Sequence, residues 1–334
     1  MTMRAVRVAD YGGAERLTLD RVPVPEPGAG EALVRISHAG VNFIDVYMRA
    51  GVFRKSATYR NSPPFTPGME GGGTVAAVGP GVDGLGAGDR VAYCLELGGY
   101  AEYAVVPAWK LVKVPDDVAM AVATALQLQG MTAHYLTDSL FPLMPGHACL
   151  VHAAAGGLGQ LIVQLAKARG AQVFATVGSA EKAVIAKARG ADHVILYRDE
   201  DFAEKVLQLT GGAGVDVVYD SVGKDTYRGS LRALKPRGVL SNNGNASGRV
   251  EALDPLDLAE AGSVFFTRPH LADYIPTAAE RARRSGELYR LYREGRLTVT
   301  IDRTLPLAEA RAAHEVLETR QSKGKLILDV GGVA

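Results

Sequence analysis

The chain has 334 residues, too many for one ordinary domain and about right for two. Hydrophobic residues make up 47% and charged residues 22%, which fits a globular protein with substantial cores. The formal net charge of +1 gives no general attraction to nucleic acid or to an anionic membrane.

Met1 to Asp20 alternates like a strand, with Ala5, Val6, Val8, Leu17 and Leu19 apolar and Arg4 and Arg7 between them, and it lacks the long apolar run of a signal peptide. No stretch approaches the ~18 apolar residues of a membrane span, so the expected location is the cytoplasm. Short apolar runs then follow at Ala32–Ile36, Gly73–Val78, Arg90–Tyr93 and Glu102–Val106. They are separated by turn chemistry at Pro23-Val24-Pro25, Gly79-Pro80-Gly81 and Gly88-Asp89-Arg90, and read as a mainly antiparallel β region. The two cysteines, Cys94 and Cys149, stand far apart in no metal-type spacing, so neither a disulfide framework nor a structural zinc site is expected.

From Cys149 the pattern becomes strand–helix alternation. Strands are predicted at Cys149–Ala153, Gln172–Val177, His193–Tyr197, Val215–Val222 and Gly238–Asn242, with a sixth at Ser263–Phe266. Helices lie between them at Gly159–Arg169, Ala180–Arg189, Asp201–Thr210 and Thr226–Leu234, which implies βαβ units and a parallel sheet. The tail holds a charged helix (Ala278–Glu294), a strand (Thr298–Ile301), a helix (Leu307–Arg320) and a last strand (Lys325–Val330). The simplest arrangement is a nucleotide-binding domain over 125–267, inserted into a domain made of 1–124 and 268–334. Repeats and low-complexity segments are absent.

The sharpest local signal is Ala153-Ala154-Ala155-Gly156-Gly157-Leu158-Gly159, between a strand and a helix. Small residues let the backbone approach a pyrophosphate, and the helix N-terminus offers free N–H groups and a positive dipole end. Against G-x-G-x-x-G the triplet is Ala154, Gly156 and Gly159, with the first glycine replaced. An NAD site usually carries a carboxylate at the end of the second strand, for the ribose 2′-hydroxyl. Here that strand ends at Gly178, followed by Ser179 and Lys182, a donor and a cation that suit a 2′-phosphate. Glu181 sits inside the helix. The expected cofactor is therefore NADPH.

Six segments together resemble the medium-chain dehydrogenase/reductase superfamily nearly end to end. They are Gly40-Val41-Asn42-Phe43-Ile44-Asp45-Val46-Tyr47, Pro67-Gly68-Met69-Glu70-Gly71-Gly72-Gly73, Gly88-Asp89-Arg90-Val91, His152 to Gly159, Asp220-Ser221-Val222-Gly223 and Thr267-Arg268-Pro269. Within the superfamily they are similar to the zinc-independent, NADPH-dependent quinone oxidoreductases, the zeta-crystallin-like branch. The resemblance implies a GroES-like, mainly β catalytic domain and a Rossmann-fold domain with a doubly wound parallel sheet. It also implies a homodimer formed through the nucleotide domains, with the Ser263–Phe266 strand as a candidate edge.

In zinc-containing relatives a Cys and a Gly-His-Glu supply metal ligands. Here Met69 stands in place of the His and Asn42 falls in the region of the Cys, so no metal is expected. Carried over by matching motif, the cofactor would lie along Ala155, Gly156, Gly157, Leu158 and Gly159. Gly178, Ser179 and Lys182 would meet the 2′-phosphate, Tyr197 the adenosine end, and Phe266 and Arg268 the nicotinamide segment. Ser221, Gly244, Asn245 and Arg320 would add further cofactor contacts. Asn42, Tyr47, Gln129 and Thr132 would line the acceptor pocket. Gln129 and Phe53 replace the Lys and Tyr of some relatives, which leaves substrate preference open.

A bare hydride transfer asks for positioning, exclusion of water and neutral donors near the acceptor oxygen. Asn42, Tyr47 and Thr132 can supply such donors, although Asn42 and Asp45 are equally suited to capping a helix. His152 lies in an apolar run and is read as a packed, satisfied residue. The expected activity is quinone reduction by NADPH, with reduction of enones or alkenals as the alternative. A non-catalytic cofactor- or RNA-binding protein is a third class, and no basic stripe with interleaved aromatics supports RNA.

Overall fold

A computed structural model describes residues 1–59 and 61–331. In chain order they form β1 (Thr2–Val8), β2 (Leu17–Pro23), β3 (Glu31–Val41), α1 (Phe43–Arg49), β4 (Glu70–Val78), β5 (Arg90–Cys94), β6 (Tyr103–Pro107) and β7 (Val112–Lys113). Next come α2 (Met120–Ala125), α3 (Met131–Tyr135), β8 (Ala148–Val151), α4 (Gly157–Ala168), β9 (Gln172–Val177), α5 (Ala180–Ala188), β10 (His193–Leu196), α6 (Phe202–Leu209) and β11 (Val215–Asp220). The remainder is α7 (Tyr227–Arg232), β12 (Leu234–Asn242), α8 (Pro255–Glu260), β13 (Phe265–Thr267), α9 (Leu271–Tyr274), α10 (Ala278–Arg293), β14 (Ile301–Pro306), α11 (Ala310–Glu318) and β15 (Lys325–Asp329).

These elements divide into two compact units. The first contains Met1–Met131, Ile275–Glu294 and the chain from Val299 onward. Its main sheet runs β14-β15-β3-β4-β5-β7, with β6 also paired to β3, and β1 and β2 form a separate antiparallel pair. The ladders through β3 are antiparallel, whereas β14 and β15 run parallel. Val34, Ile36, Val75, Val91, Val106, Leu326 and Leu328 are buried along these strands.

The second unit contains Thr132–Tyr274 and Gly295–Thr298. Its six strands are all parallel, in the order β10-β9-β8-β11-β12-β13. The order reverses between β8 and β11, the place where an open α/β sheet leaves a crevice at the carboxyl ends of its strands. Phe174, Leu150, Ile195, Val218 and Leu240 from the sheet pack with Val206 and Leu231 from helices in one apolar cluster.

The alternating stretch 1–20 is not one strand: β1 ends at Val8, and β2 starts at Leu17 and pairs back on it. The tail strand predicted at Thr298–Ile301 begins at Ile301 and runs to Pro306, because its register is set by β15 rather than by its own alternation. Residues 120–140 form helix with two π-helical turns, Leu126–Gly130 and Leu136–Leu140.

The glycine turn follows β8. Ala153 takes a left-handed conformation (φ 51°), Gly156 stands at the N-cap of α4, and α4 leaves directly from it. Gly159 allows the helix to lie against the turn: a Cβ there would come within 2.4 Å of the Ala153 carbonyl oxygen and 2.7 Å of Ala154 Cα. Backbone cannot give way as a flexible side chain can. Gly159→Ala should therefore cost about 1–3 kcal/mol and displace the start of α4. Thermal unfolding and a nucleotide fluorescence titration would check this, and an unchanged melting temperature with unchanged affinity would refute it.

Candidate active site

In the second unit the carboxyl ends of the parallel strands gather most of the expected cofactor residues. Ala155 to Gly159 follow β8, and the first N–H groups of α4 have no partner within the helix. Gly178 follows β9, where the Tyr197 hydroxyl, from the end of β10, stands 2.8 Å from the place a Cβ would occupy. Ser179 is exposed and caps α5, its hydroxyl accepting the Lys182 N–H at 3.3 Å. Glu181 is exposed in the first turn of that helix.

After β11, Ser221 packs directly on the loop that follows β12: a Cβ on Gly244 would fall on the Ser221 carbonyl, so these two loops touch through backbone. Asn245 lies beside Gly244 in the same loop, and Phe266 lies on β13. The Arg268 guanidinium, just past β13, donates to the Asn242 carbonyl at 2.9 Å.

Sequence reasoning missed what holds these loops. Asp220, fully buried at the end of β11, accepts from the backbone N–H groups of Val222 (2.8 Å) and Gly223 (2.9 Å) and from the hydroxyls of Thr226 and Ser230. His152 is packed and satisfied, with Nδ1 2.8 Å from the Thr176 hydroxyl and Nε2 3.0 Å from the Ser230 hydroxyl. Because Ser230 donates to Asp220, it accepts from Nε2–H, which leaves Nδ1 as the acceptor. Burial lowers the His152 pKa and keeps the ring neutral. Asn243 was also missed: both polar atoms of its amide are buried and find no partner within the protein.

The first unit holds a second buried polar centre, and Asn42, one of the acceptor-side candidates, is part of it. Asn42 is the N-cap of α1, in extended backbone (φ −138°, ψ 157°), and Asp45 takes its N–H at 2.9 Å, the backward half of a capping box. The Asn42 amide is 3% exposed. It donates to Glu70 Oε2 at 2.9 Å and accepts from Lys325 Nζ at 2.6 Å. Lys325 also donates to Glu70 Oε2 at 2.5 Å, and Leu128 N–H donates to Glu70 Oε1. Asp45 takes Met69 N–H on its other oxygen at 2.9 Å and the Tyr100 hydroxyl at 3.3 Å.

Tyr47, half-buried on α1, packs edge-on to Phe53 and tilted against Phe43. Gln129 lies half-buried in the first π-helical turn. Thr132 belongs by chain to the second unit and is buried. Arg320 belongs to the first, exposed just past α11 in a left-handed conformation (φ 58°).

The far end of α1 is held by charge as well. Buried Arg49 pairs with Glu318 at 2.7 Å and donates to His314 Nδ1 at 3.2 Å. An arginine only donates, so Nδ1 accepts and the proton sits on Nε2, which gives it to the Tyr100 oxygen at 3.1 Å. Burial first, and the neighbouring Arg49 charge second, push the His314 pKa down to about 3.

The unfolded chain protonates this histidine near 6.5, whereas the folded one resists until about pH 3. Its contribution is whole above 6.5 and is lost as pH falls through that window, by up to about 1.4 kcal/mol per pH unit. His314→Gln, which can still accept from Arg49 and donate to Tyr100, should flatten this acid limb. Denaturant unfolding of both proteins between pH 4 and 8 would show it, and an unaltered limb would remove His314 as its source.

A parallel nucleotide-type sheet joined in one chain to a mainly antiparallel β unit defines a two-unit, nucleotide-dependent oxidoreductase of the medium-chain dehydrogenase/reductase class. Comparisons agree with that class. Residues 28–116 match the alcohol dehydrogenase GroES-like domain, and residues 189–328 match the family described as zinc-binding dehydrogenase. The chain is 42% identical to a 2-haloacrylate reductase from a Burkholderia species, over 98% of this chain and 99% of that one. It is 41% identical to a quinone oxidoreductase of Pseudomonas aeruginosa, over 97% and 99%. The solved structure of Escherichia coli quinone oxidoreductase in complex with NADPH superposes with a TM-score of 0.93 at 38% identity, covering 98% of this chain and all of that one. This chain belongs to the quinone oxidoreductase family of the medium-chain dehydrogenase/reductase superfamily.

The zinc named in one family description does not fit the residues present. Every carboxylate oxygen of Glu70 and Asp45 already faces an N–H, O–H or ammonium donor from the protein. A cationic ammonium stands against Glu70, where a metal would need a lone pair.

Proposed function

We propose that the chain binds NADPH along the carboxyl edge of its parallel sheet and reduces quinones. The observation that carries the cofactor reading is the end of β9. Gly178 leaves no carboxylate to repel a phosphate, and Ser179 at the N-cap and Lys182 in the first turn of α5 stand at a positive helix end. The backbone cradle of Ala155 to Gly159 suits the pyrophosphate, with Tyr197 at the adenosine side, Phe266 and Arg268 at the nicotinamide side, and Ser221, Gly244 and Asn245 as further cofactor contacts. Arg320 is proposed as a further basic contact. The unpartnered Asn243 amide is suited to a ligand amide or hydroxyl.

NADPH, when bound, supplies the hydride. The chain's part is to orient and to exclude water. Tyr47 and Gln129 are proposed donors to the acceptor, and Thr132 is proposed as a further one. Asn42 acts by holding the start of α1, since its amide is committed to Glu70 and Lys325. Reduction of activated double bonds is the second reading, favoured by the 42% identity to a 2-haloacrylate reductase.

We also propose a homodimer through β13. This short strand is the edge of the parallel sheet, and Phe265 on it is 62% exposed. Two free, buried cysteines suit the reducing cytoplasm, and among the described residues no helix is long and apolar enough to cross a membrane.

Two measurements test these readings. NADPH and NADH oxidation should be followed with quinone and haloacrylate or enone panels, for wild type and Lys182→Ala. Lys182→Ala should raise KM for NADPH about tenfold or more and leave that for NADH nearly unchanged. A wild type preferring NADH would overturn the cofactor assignment, and turnover of enones without quinones would move the activity to the second reading. For assembly, Phe265→Asp should shift sedimentation from dimer to monomer, and a wild type already monomeric at micromolar concentration would sink the dimer proposal.

A further inference from the structure

Lys325 lies 255 residues from Glu70 in the chain, and both are buried, at 1% and 0% exposure. Two charges so far from water are tolerated only when each is closely paired and the remaining lone pairs are satisfied. Here they are. Nζ reaches Glu70 Oε2 and Asn42 Oδ1, and the other Glu70 oxygen takes the Leu128 N–H.

The sheet leaves room for the pair at one point. Gly40, opposite Ile327 in the β3–β15 ladder, would place a Cβ onto Glu70 Oε2 and within 3.0 Å of Lys325 Cε. Glu70 thus joins three separate segments: β15 through Lys325, the N-cap of α1 through Asn42, and the π-helical turn of Gln129 through Leu128. The helix so capped carries Tyr47.

We propose that Lys325 is a positioning residue for the reductase reaction. Its ammonium is the built-in cation that fixes Glu70 and Asn42, and through them the backbone segments bearing Tyr47 and Gln129. The proposal rests on the reading of this protein as an NADPH-dependent reductase. Nothing is transferred to or from Lys325. The ammonium acts by holding an acceptor-facing surface rigid, and a displacement of about 1 Å in such a surface is enough to slow a reaction a hundredfold.

Two variants of the full chain separate positioning from folding. Lys325→Met removes the cation at similar length. Lys325→Met with Glu70→Gln also removes the carboxylate left without its partner, so it keeps a folded comparison if the single variant melts early. Hydride transfer from NADPH to 1,4-benzoquinone should fall tenfold or more in kcat in both, with the NADPH dissociation constant within about twofold of wild type. NADPH deuterated at both C4 positions should show a larger isotope effect on kcat than in wild type, because the transfer step becomes limiting. A loss of folded fraction alone would lower the amplitude and leave the isotope effect unchanged.

Amide hydrogen exchange is read in parallel. Protection of Leu128 and of the first turn of α1 should drop at least tenfold relative to the β3–β4 ladder. Unchanged exchange there, or a folded variant with wild-type kcat and isotope effect, overturns the proposal. A wild type that reduces no quinone and no activated alkene overturns the reductase reading instead, while the exchange measurement still decides whether Lys325 holds the two segments.

Discussion

A carboxylate taken out of water must find a donor for each oxygen, and a buried ammonium must find acceptors. The first unit is organised around that requirement at Glu70. Its partners come from three places in the chain: Lys325 on the last strand, Asn42 at the start of α1 and Leu128 in a π-helical turn. Satisfying one carboxylate therefore fixes where the last strand closes on β3, where α1 starts and where the π-helical turn sits. Gly40 is the concession that backbone makes to the pair. Asp45 repeats the principle one turn into α1, tying it through Tyr100 and His314 to Arg49 and Glu318 at the helix's other end. A seven-residue helix is too short to be stable by propensity, so this anchoring at both ends is what gives it a defined place.

The second unit meets a different constraint. A site for a dinucleotide needs backbone close to the ligand and loops that hold still at strand ends. Close packing of α4 and of the loops at those strand ends comes from glycine at Gly159 and Gly244, each pressed against main chain. Stillness comes from Asp220, whose carboxylate draws the Ser221–Thr226 loop back onto the sheet, and from the neutral His152 linking β9 to α7 through Thr176 and Ser230. None of these groups needs to touch a ligand to matter, because each fixes loops at the carboxyl edge of the sheet, where the cofactor is proposed to bind.

The countercharge to the buried Glu70 carboxylate is a covalently carried ammonium, that of Lys325. A lysine cannot act as a Lewis acid, so the pair supplies an electrostatic anchor and no polarising chemistry.

Much of this was legible in the residues. Alternation of apolar runs and helical spacing after Cys149 marked a parallel sheet, because strand and helix periods are local properties. The glycine turn between a strand and a helix, and the absence of a carboxylate at the end of the second strand, could be read in advance, since both depend on a few adjacent residues and on the helix that follows them. His152 in its apolar run read as packed, and it is. The single strand read over residues 1–20 failed because alternation says nothing of where a chain turns back, and the tail strand was misplaced because its neighbour sets its register. Asn42 and Asp45 carried two readings that sequence could not separate, since a capping residue and a site residue look alike until their partners are known. Lys325 left no signal at all: an isolated lysine near the end of a chain reads as solvated. Its burial against Glu70 is decided by the pairing of β15 on β3, a contact between residues too distant in the chain for any local pattern to record.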